Sequence, residues 1–138
     1  GDLQKDPYYR WLNKNFLILQ IPLGGLLYWI GTINGTNGWS MILWGIFVRL
    51  VFVYHVTWLV NSATHCWGTI AYESGDNSRN NAWVAALTFG EGWHNNHHAF
   101  PNSALQGLQK GQIDLTWQHI RLLRALGLAS KIRLPAAY

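Results

Sequence analysis

The sequence predicts an all-α fold: an integral membrane helical hairpin followed by a cytoplasmic helical cap that carries a cluster of histidine metal ligands. Three observations lead there. Only 12% of the 138 residues are charged while 49% are hydrophobic, with 9 Trp, against about a quarter charged in soluble domains. Two stretches, 15–33 (NFLILQIPLGGLLYWIGTI) and 39–60 (WSMILWGIFVRLVFVYHVTWLV), carry one charge between them. Each is close to the roughly 20 apolar residues that cross a bilayer core as a helix. The run Gly90 to Pro101 (GEGWHNNHHAFP) places His94, His97 and His98 at positions i, i+3 and i+4, one face of a helix.

Residues 1–14 are polar and form a cytoplasmic lead-in with Lys5, Arg10 and Lys14. They show no cleavable signal pattern, and the single methionine, Met41, lies inside the second span. The chain is therefore expected to be an internal or C-terminal piece of something longer. In the first span Pro22, Gly24 and Gly25 weaken a helix, but membrane helices tolerate them where neighbours satisfy the backbone. Asn34-Gly35-Thr36-Asn37-Gly38 is an uncharged reversing turn, so the two spans should form a hairpin. Buried helices of a soluble protein are the competing interpretation of the same composition. Tyr28, Trp29, Trp39 and Trp11 fall near the expected span ends, where aromatic belts lie.

The cations that follow the spans are Arg79, Lys110, Arg121, Arg124, Lys131 and Arg133. With those of the lead-in they place both ends on the cytoplasmic side by the positive-inside rule. The net charge of +4 then reflects topology and contact with membrane lipid, and no nucleic-acid motif accompanies it. Arg49 and His55 sit inside the second span, where ionisable groups face a bundle interior or cavity. The single cysteine, Cys66, excludes an internal disulfide and a cysteine-based zinc finger and is expected to be a small packed residue.

Residues 61–138 form the expected cap. Asn61-Ser62-Ala63-Thr64-His65 follows directly on the second span, with Asn61 and His65 four apart. On a continuing helix both project from one face, so His65 can bind a metal while Asn61 supports it or a bound water. A polar loop, Glu73 to Asn81, lets the chain return to the histidine run. Neutral imidazole is the commonest protein ligand for zinc, copper, iron and nickel; a solvated histidine cluster is the bland alternative. Gly90 and Gly92 remove side chains beside the cluster, as close approach of backbone or substrate requires, and Phe100-Pro101 stops the helix. Glu91, three residues before His94, either orients a ligand imidazole or stays at the surface. Residues 114–128 (DLTWQHIRLLRALGL) read as a basic amphipathic helix ended by Gly127; its His119 has no metal context.

These motifs together resemble the membrane fatty acid desaturases, particularly the delta-9 acyl-lipid or acyl-CoA type, over essentially the whole chain. The resemblance rests on WLVNSATH at Trp58 to His65, GEGWHNNHHAFP with its HxxHH box, Asp2-Leu3-Gln4-Lys5-Asp6-Pro7, and Gln112 to Trp117. It implies an oxygen-dependent enzyme with two iron ions held by histidines on the cytoplasmic face. His65, His94, His97 and His98 would be metal ligands, and Asn61 would contact a metal through water. It further implies a fatty acyl lipid or acyl-CoA substrate, O2 as co-substrate, and an electron donor such as a ferredoxin or a cytochrome b5, which Arg121 and Arg124 would help dock. The implied location is a bacterial inner or thylakoid membrane rather than the endoplasmic reticulum.

The family's HxxxxH box and earlier HxxHH box do not occur in these 138 residues. The chain is thus expected to furnish part of a di-iron site and not to catalyse alone. Removing hydrogen from an unactivated methylene pair is beyond side-chain acids and bases and requires a metal-centred oxidant, with the acyl chain held so that one C–H bond lies beside it. Trp58, Trp67, Trp83 and Trp93 are candidate lining residues for an acyl tunnel, ordinary packing being the alternative for each. Two other functions share the motifs in part: a histidine-box membrane hydroxylase or ketolase, and a non-catalytic membrane metal-binding or transport protein.

Overall fold

A computed structural model describes residues 2–135, and its regular structure is helical, without a β-strand among the described residues. The chain divides into two compact units, one ending at Val53 and one beginning at Tyr54.

In the first unit a 3₁₀ turn, Asp2–Lys5, leads into α1 (Pro7–Asn15). The supposed lead-in is therefore a helix, and its start is written in Asp6-Pro7: the Asp6 side chain caps Tyr8 N at 2.8 Å and Pro7 supplies a fixed φ at the first position. The expected span 15–33 is not one continuous helix. The chain turns at residues 16–19, α2 occupies Gln20–Ile33, and α1 and α2 meet at a 67° bend. The break has a physical cause in Pro22, which lacks an N–H and clashes with the carbonyl four residues back in a helix interior. Restarting at Gln20 leaves Pro22 in a first turn, where no donor is needed.

The turn 34–37 is closed by Thr36, whose N–H and hydroxyl both donate to Gly31 O, at 2.9 and 3.0 Å. Gly35 takes φ 71° there. Asn37 then caps α3 (Gly38–Ile42) through Trp39 N. Past the turn the chain runs antiparallel to α2, Gly31 against Gly38 and Leu27 against Gly45. A Cβ on Gly31 would lie 2.8 Å from Gly38 Cα, so the close approach requires glycine. A π-helical segment, Leu43–Val48, follows, with Arg49 Nε donating back to Gly45 O at 2.8 Å. Arg49 thus bonds to its own helix.

The helical run Gly38–Cys66 is long and apolar enough to cross a membrane, and only 6% of its most apolar window is buried. Its apolar surface is thus left largely uncovered by the described residues. Its last part, α4 (Arg49–Cys66), carries the second unit's core at its C-terminal end, where Val60 and Ala63 pack on Val84 of α5 (Ala82–Leu87). Cys66 is exposed, contrary to its expected packed role, because it lies beyond the last buried turn. α6 (His94–Ala99) and α7 (Leu115–Ala125) complete the order. Asp114 caps α7 through Trp117 N at 2.8 Å, and Gly127 at φ 72° ends it in a Schellman arrangement, with Leu128 N donating to Leu123 O.

Much of the second unit's interior is polar. Thr64, Ser78, Asn80, Asn81, Asn95, Asn96 and Asp114 are all buried. Such groups are stable inside only when hydrogen-bonded, and their bonds hold the loops in place.

Candidate metal centre

α6 is six residues long, and its two faces divide the labour. His94, His97 and His98 lie on one side; Asn95 and Asn96 lie on the other and are almost wholly inaccessible, at 0% and 1%. Asn95 Oδ1 accepts from Ala71 N and Tyr72 N at 2.8 and 2.9 Å, and its amide donates to Tyr72 O. Asn96 donates to Gln106 O and Gln112 Oε1 at 2.6 and 2.7 Å and exchanges bonds with Asn80. A helix too short to be stable alone is thereby fixed to two separate connections, residues 67–81 before α5 and residues 100–114 before α7.

The approach to α6 explains the two glycines. A Cβ on Gly92 would fall 2.0 Å from the backbone N of Ala85 in α5, and one on Gly90, at φ 122°, would lie 2.6 Å from Asp114 Oδ1. The glycines admit protein backbone and the Asp114 carboxylate. Trp93, 8% exposed, packs in the interior and donates Nε1–H to Ile113 O at 2.8 Å. Trp58, Trp67 and Trp83 are more than half exposed, so these three are not buried within the second unit.

His65, on the last turn of α4, meets His94 and His98 so that one ring nitrogen from each lies within 4.8 Å of the other two. The ring centroids are 5.1 Å apart for His65 and His94, 5.5 Å for His65 and His98, and 4.3 Å for His94 and His98. His97 is outside this trio. It faces a cleft of about 280 Å³ lined by Thr57, Val60, Asn61, Glu91, His94 and Gln106. Asn61 is therefore beside His94 and His97, its amide donating to Thr57 O at 3.2 Å. Glu91 is exposed at the cleft and raises the basicity of His97 by its charge. His55 packs its ring on Trp58 at 5.4 Å and stands apart from the trio, as does His119, exposed on α7.

The electrostatics favour ligation. Burial, reinforced by the neighbouring imidazoles of His98, His65 and His97, pushes His94 down to about 4. His97 is lowered as well, first by burial and then by His98. Neutral imidazoles are the form that binds metal. His94 Nε2 and His97 Nδ1 are buried and have no hydrogen-bond partner in the protein, a costly condition that a bound cation would relieve. The donor set, all imidazole at the trio, suits a transition metal.

One acidic residue at the centre has no signal in the histidine spacing. Asp76, in the loop before α5, bonds through Oδ2 to His98 Nδ1. Hydrogen bonds from Ser78, side chain and backbone, and from Ser74 hold its carboxyl well below the usual carboxylate range. Its place inside the Glu73 to Asn81 polar loop was the only sequence hint. The buried Asn80, Asn95 and Asn96 and the partly buried Gln106 likewise have no mark in the histidine spacing, although two Asn between ligand candidates do occupy the opposite helical face.

The sequence profile described as Fatty acid desaturase matches residues 2–129. The chain is 54% identical over 134 residues to a Synechocystis sp. sn-1 stearoyl-lipid 9-desaturase, covering 97% of this chain and 40% of that protein. It is 52% identical over 136 residues to a chloroplastic palmitoyl-monogalactosyldiacylglycerol delta-7 desaturase of Arabidopsis thaliana, 99% of this chain and 35% of the relative. An icosanoyl-CoA 5-desaturase of Limnanthes douglasii is 48% identical over 135 residues, 98% of this chain and 36% of its own length. The chain therefore spans well under half the length of each of these relatives. With the profile covering nearly all of its residues and relatives about half identical over nearly its whole length, the chain belongs to the fatty acid desaturase family.

Proposed function

We propose that the complete protein is an oxygen-dependent fatty acyl desaturase that introduces a cis double bond at carbon 9, using a histidine-ligated di-iron centre. The observation that carries this reading is the convergence of His65, His94 and His98 within 4.8 Å, in a chain of the desaturase family. These three would hold one iron. His97, half-buried and turned to the adjoining cleft, would serve the other together with ligands outside these residues, and Asn61 would reach the site through water. Bound iron would supply the redox chemistry by which O2, with two electrons from the donor and two protons from solvent, takes one hydrogen from each of two adjacent methylenes and is reduced to two waters.

The chain's own residues perform the supporting work. Asn95 and Asn96 fix the box, Asp76 holds His98, and burial keeps His94 neutral. Carbon 9 is supported by relatives named 9-desaturases at 54% and 53% identity, although relatives named for positions 7 and 5 follow closely. The acyl carrier is a glycerolipid or coenzyme A, and the electrons come from a ferredoxin or a cytochrome b5. The apolar run Gly38–Cys66 supports an integral membrane protein, with residues 15–33 and 39–60 as its two spans, residues 61–138 forming a cytoplasmic cap, and both ends cytoplasmic, in a bacterial inner or thylakoid membrane.

Expression of the complete protein in a desaturase-deficient host, followed by gas chromatography of fatty acid methyl esters, tests this. The expected result is a new acid unsaturated at carbon 9 that vanishes with His94→Ala. A hydroxylated product selects hydroxylase chemistry instead, and no new product from an iron-loaded, donor-supplied enzyme rejects an acyl substrate.

A further inference from the structure

Asp76 is placed by the chain and not by chance. Gly75, at φ 79°, reverses the backbone immediately before it. Ser74 Oγ and Ser78 N then donate to Asp76 Oδ1 at 2.8 and 2.9 Å. The two serine hydroxyls bond to each other at 2.9 Å, and the amide of Asn95 reaches Ser74 Oγ at 3.3 Å. The loop that presents Asp76 is thus tied to α6, the helix that presents His98. With Oδ1 occupied by two donors, Oδ2 is directed to His98 Nδ1. The converging nitrogen trio consists of His65, His94 and His98 without this carboxylate.

We propose that Asp76 is a positioning residue of the metal centre: it takes the Nδ1–H of His98, fixes the ring tautomer and orientation, and so reserves Nε2 for the metal shared with His65 and His94. A carboxylate behind a ligand imidazole both aims the ring and raises its basicity. Asp76 acts through His98, and no step of the reaction touches it. The inference rests on the metal-binding reading given under the proposed function.

The test uses the complete protein loaded with ⁵⁷Fe, comparing wild type, Asp76→Asn and Asp76→Ala. Iron per protein, the rate of iron release to a chelator and the Mössbauer spectrum are recorded, with thermal unfolding as a check of the fold. Asn keeps the shape and the serine contacts while removing the charge. The expected result is that one of the two irons leaves about 10 to 100 times faster in Asp76→Asn, with an altered quadrupole splitting for that iron alone. Asp76→Ala is expected to lose that iron more readily, with excess iron restoring it. Folded variants with wild-type release and spectrum overturn the assignment, as does equal disturbance of both irons together with a lowered unfolding temperature in Asp76→Asn. Should Asp76→Ala fail to fold, Asp76→Asn decides. Wild-type protein that takes up no iron overturns the metal reading itself, and this outcome is distinct from a wild type with two irons and unaffected variants.

Discussion

His94 can offer a nitrogen to a metal only while its ring is neutral, and its surroundings enforce that state. Its pKa falls from the ordinary 6.5 to about 4, with burial the largest cause and three nearby imidazoles adding to it. Below pH 6.5 the unfolded chain takes up a proton at this residue that the folded chain refuses. Acidification therefore favours unfolding, and the loss accumulates from about pH 6.5 down to about pH 4, below which this residue adds nothing further. Metal-free protein should show an unfolding temperature that falls across this window, and His94→Gln should flatten the slope. Stability that rises on acidification there would contradict the burial argument. The same logic separates the histidines by role: His119→Ala, at an exposed position on α7, should leave product formation in the host assay unchanged, whereas His94→Ala abolishes it.

The short helix α6 is an element whose existence depends on its contacts. Asn96→Leu would leave the buried Asn80 amide without its acceptor, an orphaned group costing about 1–3 kcal/mol, and would remove one of the two donors to Gln112 Oε1. It should lower the unfolding temperature and the metal content together. Gly92→Ala would press a methyl against the backbone of Ala85, where no flexible side chain can yield, and overpacking of this kind costs about 1–3 kcal/mol. Both are checked by thermal unfolding of the purified complete protein. At this scale the sequence was informative where structure is local. The i, i+3, i+4 spacing puts three histidines on one face, Gly127 marks the end of α7, and Asp6-Pro7 encodes the start of α1. The Asp76 contact joins residues 22 apart in sequence, and long-range hydrogen bonds have no period to detect. The break at 16–19 was signalled by Pro22, but the tolerance of membrane helices for proline argued the other way. The π segment at Leu43–Val48 had no marker beyond Gly45.

For the molecule as a whole, the exposed apolar surface poses a question that composition alone could only raise. Trp44, Phe47 and Phe52 are each more than half exposed on the long helical run, which is itself scarcely buried. Lipid is the environment in which such a surface is stable, and 29 residues suffice to cross it. The first span is less simple, because α2 with 14 residues is only about 21 Å long, short of a core of about 30 Å. Either α1 and α2 together cross as a bent span, or α2 enters and returns without crossing. Cysteine labelling separates the two. With any cysteines outside these residues replaced, Cys66, exposed at the end of α4, should react with a membrane-impermeant maleimide only from the cytoplasmic face. With Cys66 replaced by serine, Thr36→Cys in the turn should react only from the opposite face, and Arg10→Cys in α1 only from the cytoplasmic face. Labelling of Arg10→Cys and Thr36→Cys from the same side would mean that the bent pair does not cross. The two-span hairpin would then give way to a single span, and the positive-inside argument would apply to the segment after the long helix alone.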